Sequence, residues 1–187
     1  MTEAKQETLW VLRAQTGDRE ALGLLLQTVQ SPLFGYIASL TLDHHVAEDI
    51  LQEVCIIVCR KVKWLKEPGL FRPWAYRIAS RETFRRLRRE RQWSERMAEE
   101  TYPEPAAPPE REEFEPELME QLPHWIDRIS PASRAVIVLH YLQEMTLDEI
   151  AAVLEVPAGT VKSRLAYGLH CLRERAAEWR TQCSNEG

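Results

Sequence analysis

The stretch TLDEIAAVLEVPAGTVKSRL, residues 146–165, predicts two short helices joined by a three-residue turn. Thr146 and Glu149 have the Thr-x-x-Glu spacing of a capping box, which marks a helix start. Pro157 suits the first position of a second helix. Apolar residues recur at helical spacing on both sides of the turn. Those expected to face inward are Leu147, Ile150, Ala151 and Leu154, followed by Val161, Leu165 and Leu169. Such a pair of helices is a helix-turn-helix.

The second helix of this motif carries the side chains expected to contact DNA, because its first residues enter the major groove. Arg164 can fork onto a guanine edge, and Lys162 suits a phosphate. The full candidate set is Ala158, Thr160, Lys162, Ser163, Arg164 and Tyr167. Residues 118–187 carry seven basic and nine acidic side chains, so this part alone should bind DNA weakly. The alternative interpretation is a helical hairpin whose TVKSR segment is only a solvated surface.

Helical periodicity recurs through the rest of the chain, and no segment keeps the alternation typical of strands. Asp18 should cap one helix, Ser31-Pro32 should start the next, and a longer helix is expected at about 46–62. An arginine-rich helix should begin near Pro73. The predicted fold class is therefore all-α.

An acidic segment at residues 95–117 divides the predicted helices into two small domains, 1–94 and 118–187. Between positions 95 and 120, ten glutamates are offset by two arginines, which gives a net charge of −8. The segment is also rich in proline and cannot bury enough apolar surface to offset its ordering entropy. We therefore expect a flexible linker that charge repulsion keeps extended. Beyond it, Ser130-Pro131 should start another helix.

The segment HVAEDILQEVCIIVCRKV, residues 45–62, predicts a helix with one acidic face. Its polar residues share an arc of about 140° at 100° per residue. They are Glu48, Asp49, Gln52 and Glu53, and the opposite, core-facing arc holds Ile50, Val54, Ile57 and Val58. The functional interpretation is a docking patch for a basic partner. The alternative is a solvated helix face.

The segment FRPWAYRIASRETFRRLRRERQ, residues 71–92, contains eight arginines and two glutamates, a charge of +6 in a chain whose net charge is −5. Four of the arginines share an arc of about 80°; they are Arg77, Arg81, Arg85 and Arg88. Guanidinium groups beside aromatic rings suit DNA phosphates and unstacked bases. Whether Trp74 and Ile78 are buried is left open by the periodicity. The alternative is a solvated basic helix neutralised by the acidic linker.

Several classes of function lack support in the sequence. No run approaches the roughly 18 apolar residues of a membrane span, and no secretory signal is visible, so a reducing cytoplasm is expected. Cys55 and Cys59, with His44-His45 nearby, make a metal site conceivable, but without a close Cys-x-x-Cys pair buried structural cysteines are favoured. No phosphate loop or catalytic motif is present, so we predict no enzyme, metal or cofactor.

Four segments follow one another in the chain: GDREALGLLL, AEDILQEV, FRPWAYRIASR and, after the acidic linker, TLDEIAAVLEVPAGTVKSRLA. In this order they closely resemble bacterial RNA polymerase sigma factors of the extracytoplasmic-function group. The resemblance covers residues 9–175 apart from the linker. It implies that 1–94 is a sigma region 2 helical bundle and 118–187 a sigma region 4 helix-turn-helix domain. Their flexible acidic linker is 95–117.

The resemblance also implies partners and roles. The segment 47–54, with Glu48, Asp49, Gln52 and Glu53, matches the part that docks on the β′ clamp coiled coil of core polymerase. The segment 64–88 matches the part that opens and recognises the minus-ten element, through Trp64, Arg72, Trp74, Arg77, Arg81, Arg85 and Arg88. The helix after Pro157 matches the one that recognises the minus-thirty-five element. Further implied partners are the β flap and an anti-sigma protein, which can hold the cytoplasmic chain at the inner membrane without any membrane insertion of its own.

Four positions depart from the family pattern. Val46 stands where relatives usually have Asp, and Arg81 and Arg85 replace the usual Asn and Asp. Glu155 stands where a left-handed glycine is usual; keeping that conformation costs a non-glycine residue roughly 1–2 kcal/mol. Two other hypotheses remain: a free-standing helix-turn-helix regulator that binds its operator without polymerase, and an interaction protein that sequesters a partner through the acidic helix.

Overall fold

The computed structural model describes residues 3–89 and 125–185. All regular secondary structure in these two ranges is helical, which confirms the all-α prediction. The chain forms two compact units, one holding all described residues up to 89 and the other most of those from 125 onward. The predicted linker, 95–117, lies outside the described residues.

The first unit is a helical bundle. Its α-helices are α1 (Glu3–Gln15), α2 (Arg19–Thr41), α3 (His44–Lys61) and α4 (Phe71–Arg89), and the 3₁₀ turns Val62–Trp64 and Pro68–Leu70 join α3 to α4. Helix α2 packs against the other three. Apolar side chains from all four helices, including Val11, Leu25, Val54 and Phe71, are fully buried between them. Burial of this apolar area from water is the main force that holds α3 and α4 in place.

Helix α2 confirms one predicted helix start and contradicts another. Asp18 is its N-cap, and its carboxylate accepts a hydrogen bond from the Ala21 amide at 3.1 Å. The separate helix expected at Ser31-Pro32 is wrong, because α2 continues through both residues. Pro32 removes one backbone hydrogen bond. The unbroken buried stripe outweighs that loss; it consists of Ala21, Leu25, Val29, Leu33, Tyr36, Ile37 and Leu40.

By length and composition α2 could cross a membrane, although a buried core helix meets the same test. Its stripe of fully buried residues lies in the bundle core. Packing within the first unit therefore accounts for the apolar residues of this stripe.

Helices α3 and α4 both begin two residues earlier than expected. The Asp43 carboxylate caps α3 by accepting hydrogen bonds from the His45 and Val46 amides at 2.9 and 3.0 Å. These bonds hold the pKa of Asp43 below its ordinary value, the Val46 amide contributing most. Helix α4 begins at Phe71, and Pro73 falls in its first turn, where a backbone N–H has no helical partner to lose.

The second unit contains the 3₁₀ turn Ile126–Arg128, α5 (Pro131–Ile137), a π turn at Val138–Leu142, α6 (Leu147–Leu154) and α7 (Ala158–Asn185). Ser130 caps α5 as predicted, and its hydroxyl oxygen accepts from the Ser133 amide at 3.2 Å. Arg134 is fully buried, and its Nη2 donates to the carbonyls of Asp127 and Ile129 at 2.9 and 2.8 Å. The buried guanidinium therefore ties the 3₁₀ turn to α5.

The predicted helix-turn-helix is present as α6, a turn at residues 155–157, and α7. The capping box is complete: the Thr146 amide donates to Glu149 Oε2 at 2.8 Å, and the Glu149 amide donates to Thr146 Oγ1 at 3.3 Å. The inward positions of α7, which are Val161, Leu165 and Leu169, are buried as predicted. In α6 only Ile150 of the predicted set is fully buried, and Val153, which was not predicted, is buried beside it.

Two backbone positions shape this motif. Glu155 has φ 56° and ψ 43°, so it keeps the left-handed conformation despite its side chain. Gly168 lies where α7 comes closest to α5: a Cβ there would stand 2.5 Å from Ile137 Cδ1 and 3.5 Å from Ser133 Cβ. The approach of the two helices therefore depends on glycine at 168.

Candidate functional site

Helix α3 presents the residues of the predicted acidic face on one side. Glu48, Asp49, Gln52 and Glu53 are all exposed, and we call them the acidic surface. The opposite side of α3 is buried in the core through Ala47, Ile50, Val54 and Val58. Ile57, predicted to be buried, is only half-buried, and Ala47 takes a core position instead. Because the buried side fixes the rotation of α3, the acidic surface has a defined direction.

The two cysteines on α3 do not form the buried pair that the sequence favoured. Cys55 is half-buried, and this burial raises the pKa of its thiol. Cys59 is exposed, so its assignment as a buried structural cysteine is wrong. It lies one turn beyond Cys55 and next to the fully buried Val58, so it is on the side of α3 that faces away from the core.

Helix α4 is held on the bundle through its small and aromatic residues. The Tyr36 hydroxyl lies 2.7 Å from Ser80 Oγ, and the ring of Tyr36 packs edge-on against Tyr76 with centroids 5.4 Å apart. Burial raises the pKa of both tyrosines, so their hydroxyls stay neutral. Ile78 is buried and Trp74 half-buried, which resolves the burial that periodicity left open.

The predicted DNA-contacting arginines occupy three kinds of environment. Arg81 and Arg88 are exposed, while Arg77 is half-buried and its Nε is buried without a hydrogen-bond partner. Arg72 Nε donates to Glu7 Oε2 at 2.8 Å, and the Glu7 side chain is only 9% exposed. Arg72 therefore helps to hold α4 against α1.

Arg85 joins the acidic surface to α4. Its Nη2 donates to Glu53 Oε2 at 3.0 Å and also to the Glu82 carboxylate. Helical periodicity could not reveal the first contact, because Glu53 and Arg85 are 32 positions apart. Glu53, predicted to contact polymerase, and Arg85, predicted to contact DNA, are thus in direct contact with each other.

The Trp64 side chain is exposed to solvent, at 65%. The Lys63 ammonium lies 4.2 Å from its ring centroid, in a cation–π contact. Gln15 of α1 fixes the turn that carries both residues, since its Nε2 donates to the carbonyls of Val62 and Leu65 at 3.1 and 2.7 Å. An exposed indole beside an ammonium group on an anchored turn can stack an unpaired base.

The start of α7 presents a mixed surface. Lys162 is exposed, and the other predicted contacts are half-buried; they are Ala158, Thr160, Ser163, Arg164 and Tyr167. Ser163 Oγ donates to the Gly159 carbonyl at 3.0 Å, so this hydroxyl is already used within the helix. The Nε of Arg164 is buried and has no hydrogen-bond partner, while the side chain as a whole is partly exposed.

Comparison with known proteins identifies the family. The protein-family model of sigma-70 region 2 matches residues 25–93, and the family model of sigma-70 region 4 matches residues 125–174. The RNA polymerase sigma factor NccH of Alcaligenes xylosoxydans xylosoxydans is 30% identical over 174 residues, which cover 89% of this chain and 92% of NccH. The sigma factor SigW of Bacillus subtilis (strain 168), of the extracytoplasmic-function (ECF) group, is 26% identical over 88% of this chain and 94% of its own. The chain belongs to the ECF group of RNA polymerase sigma factors.

This sigma factor is therefore a transcription initiation factor that binds core RNA polymerase and promoter DNA. The fold agrees with a solved relative, RpoE of Bartonella quintana bound to the anti-sigma factor NepR. That chain has a TM-score of 0.61 and 21% identity, and the match covers 80% of this chain and 92% of RpoE. The helix-turn-helix lies within the region 4 match, and the acidic surface and α4 lie within the region 2 match.

Proposed function

We propose that the sigma factor docks on the β′ clamp coiled coil of core polymerase through the acidic surface. The observation that carries this proposal is the two-sided character of α3. All four acidic-surface residues are exposed, while the residues on the opposite side are buried in the bundle. A rigid, negatively charged helix face complements a basic partner and steers its approach.

The test reverses charge on the acidic surface of the full chain. Glu48→Lys with Asp49→Lys should abolish co-purification with core polymerase, because like charges would then meet at the interface. Glu20→Lys with Glu67→Lys is a control of equal charge change, since both residues are exposed and lie in the same unit. Equal loss of binding in the two variants would show a general charge effect and refute the docking surface, provided circular dichroism shows both folded.

For the minus-ten element we propose a surface made by α4 and the Trp64 turn. Arg81 and Arg88 lie exposed on α4, and Arg77 sits beside them. The exposed indole of Trp64 suits a base released from the duplex. Trp74 is half-buried beside Phe71, with ring centroids 6.1 Å apart, so its assigned role is to support this surface from beneath.

For the minus-thirty-five element we propose that α7 enters the major groove with its first three turns. Lys162 would contact phosphate, and the partly exposed guanidinium of Arg164 would contact a base edge. Ala158, Thr160, Ser163 and Tyr167 would complete the contact. The weak affinity expected of this acidic domain is offset by tethering, because polymerase binding raises its effective concentration at the promoter.

The proposed domain limits are 1–94 for region 2, 95–117 for the linker and 118–187 for region 4. We place the protein in the cytoplasm, with the β flap as a second contact on polymerase. Control by an anti-sigma protein, including retention at the inner membrane, is proposed from the RpoE–NepR complex named above. A gel shift with and without core enzyme separates this function from a free-standing regulator, which would bind DNA tightly alone.

A further inference from the structure

Three side chains in the first two turns of α3 converge on one point. His44 Nδ1 lies 3.6 Å from one oxygen of the Glu48 carboxylate, and His45 Nδ1 lies 3.6 Å from the other. One ligand atom from each side chain lies within 4.8 Å of the other two, and all three residues are exposed. We call them the His-Glu cluster. It shares His44 and His45 with the metal site weighed from sequence, but Glu48 takes the place of the cysteines of α3.

The chemistry of the cluster matches a transition-metal ion. Imidazole nitrogen and carboxylate oxygen are ligands that Zn²⁺ prefers, with bonds of about 2.0–2.1 Å and ligand atoms therefore roughly 3.3 Å apart in a tetrahedral site. Each imidazole lies 3.6 Å from a different oxygen of Glu48, and one ligand atom of each side chain lies within 4.8 Å of the others, so small side-chain rotations would bring the three ligand atoms to that spacing. We propose that His44, His45 and Glu48 bind one divalent transition-metal ion of the Zn²⁺ type, with water in the fourth position.

Two neighbouring residues, Phe34 and Asp43, favour cation binding at the His-Glu cluster. The His44 ring packs edge-on against Phe34 of α2, with centroids 5.0 Å apart and planes at 65°, so a second helix restrains its orientation. The N-terminal end of a helix repels cations. Here the Asp43 carboxylate accepts hydrogen bonds from two of the terminal amides and offsets that positive potential.

A second histidine–glutamate pair in the chain serves as a control site for this proposal. On α7, His170 Nε2 lies 3.5 Å from Glu174 Oε1, with both side chains exposed to a similar degree. That pair has the same two ligand types but lacks a third ligand among the described side chains. Affinity that depends on three converging ligands should therefore appear at the His-Glu cluster and not at His170.

Metal binding would also act on docking, and this step rests on the proposed function of the acidic surface. Glu48 belongs to both sites. A bound dication would add two positive charges beside the Glu48 carboxylate. It would thereby remove the attraction that Glu48 offers a basic partner, so metal and core polymerase should compete.

The binding test is calorimetric titration of the full chain with Zn²⁺. Loss of even an outer-shell partner lowers metal affinity 10–100-fold, so loss of a ligand in His45→Gln should weaken binding by about tenfold or more. His170→Gln and Cys59→Ser should bind as the parent chain does, which excludes the two-ligand pair and the exposed thiol. If His45→Gln keeps the parent affinity and stoichiometry, the metal site is refuted.

A second arm tests the competition. Zn²⁺ at saturating concentration should reduce capture of core polymerase by the parent chain and leave capture by His45→Gln unchanged. Equal inhibition of the two chains would refute the competition, while the calorimetry would still decide the metal site. Failure of the docking proposal is distinguishable from both, because Glu48→Lys with Asp49→Lys would then leave capture intact without any metal present.

Discussion

Gly168→Ala should destabilise the second unit although alanine is the better helix former. The added methyl group would lie 2.5 Å from Ile137 Cδ1 and 3.3 Å from Ile137 Cγ1. Ile137 is 2% exposed, so its side chain has little room to move away. Overpacking of this kind costs about 1–3 kcal/mol, while replacing a helical glycine gains about 0.8–1.0 kcal/mol. The expected net loss is about 1 kcal/mol.

The measurement is urea unfolding of the full chain followed by circular dichroism, with separate transitions fitted for the two units. Gly23→Ala is the matched control, because Gly23 is inside α2 and an added Cβ would have nothing within 4 Å. That variant should gain up to about 1 kcal/mol in the first unit. Replacing glycine with alanine should therefore lower the stability at position 168 and raise it at position 23.

A double-mutant cycle separates steric overlap from other effects at position 168. Ile137→Val removes Cδ1, the atom in closest conflict, and alone should cost about 0.5–1.5 kcal/mol. Combined with Gly168→Ala it should cost less than the sum of the two single changes, since the residues are in contact. Additive costs, or a gain in stability from Gly168→Ala alone, would refute the argument from close helix approach.

Three further changes test other parts of the molecule. Glu155→Gly should be more stable than Glu155→Ala by about 0.5–1 kcal/mol in thermal unfolding of the second unit, because both variants lose the Glu155 side chain and only glycine relieves the left-handed strain; equal stability of the two variants would refute the strain. Arg164→Ala should weaken initiation by about 1–3 kcal/mol at promoters with a good upstream element, in run-off transcription. Equal loss at all promoters would indicate a phosphate contact. The lowered pKa of Asp43 gives stability that is present above the unfolded carboxyl pKa and lost as pH falls through the folded value. Asp43→Asn, whose amide oxygen keeps the cap, should therefore reduce the loss of first-unit stability in acid denaturation; an unchanged acid profile would refute that contribution.

Local signals in the sequence were sufficient for the features that depend on neighbouring residues. The capping box at Thr146, the cap at Asp18 and the helix start at Ser130 all have the predicted hydrogen bonds. The buried side of α7 and the exposure of the acidic surface follow from the 3.6-residue period alone. These features are formed within one or two turns, so tertiary packing does not need to be known.

Features that depend on contacts between distant segments could not be predicted in this way. Ser31-Pro32 is a strong local start signal, yet the apolar stripe of α2 packs against three other helices and carries the helix through it. The Glu53–Arg85 ion pair joins positions 32 residues apart. The closeness of Gly168 to Ile137 is likewise visible only once α5 and α7 are packed together.

The ion pairs of α4 decide which of its arginines are available for the DNA contact proposed above. Arg72 and Arg85 both bind carboxylates, but the two pairs differ in burial. Glu7 is buried, so breaking its bond to Arg72 would leave a buried carboxylate without this partner, which costs more than breaking an exposed pair. Glu53 and Arg85 are both about half exposed, and such surface pairs contribute about 0–1 kcal/mol. A DNA phosphate can therefore displace Glu53 from Arg85 at little cost, whereas Arg72 must stay with Glu7. If Glu53 contacts polymerase when the sigma factor docks, Arg85 loses one of its two carboxylate partners. The Arg85 guanidinium can then bind a phosphate of the promoter DNA.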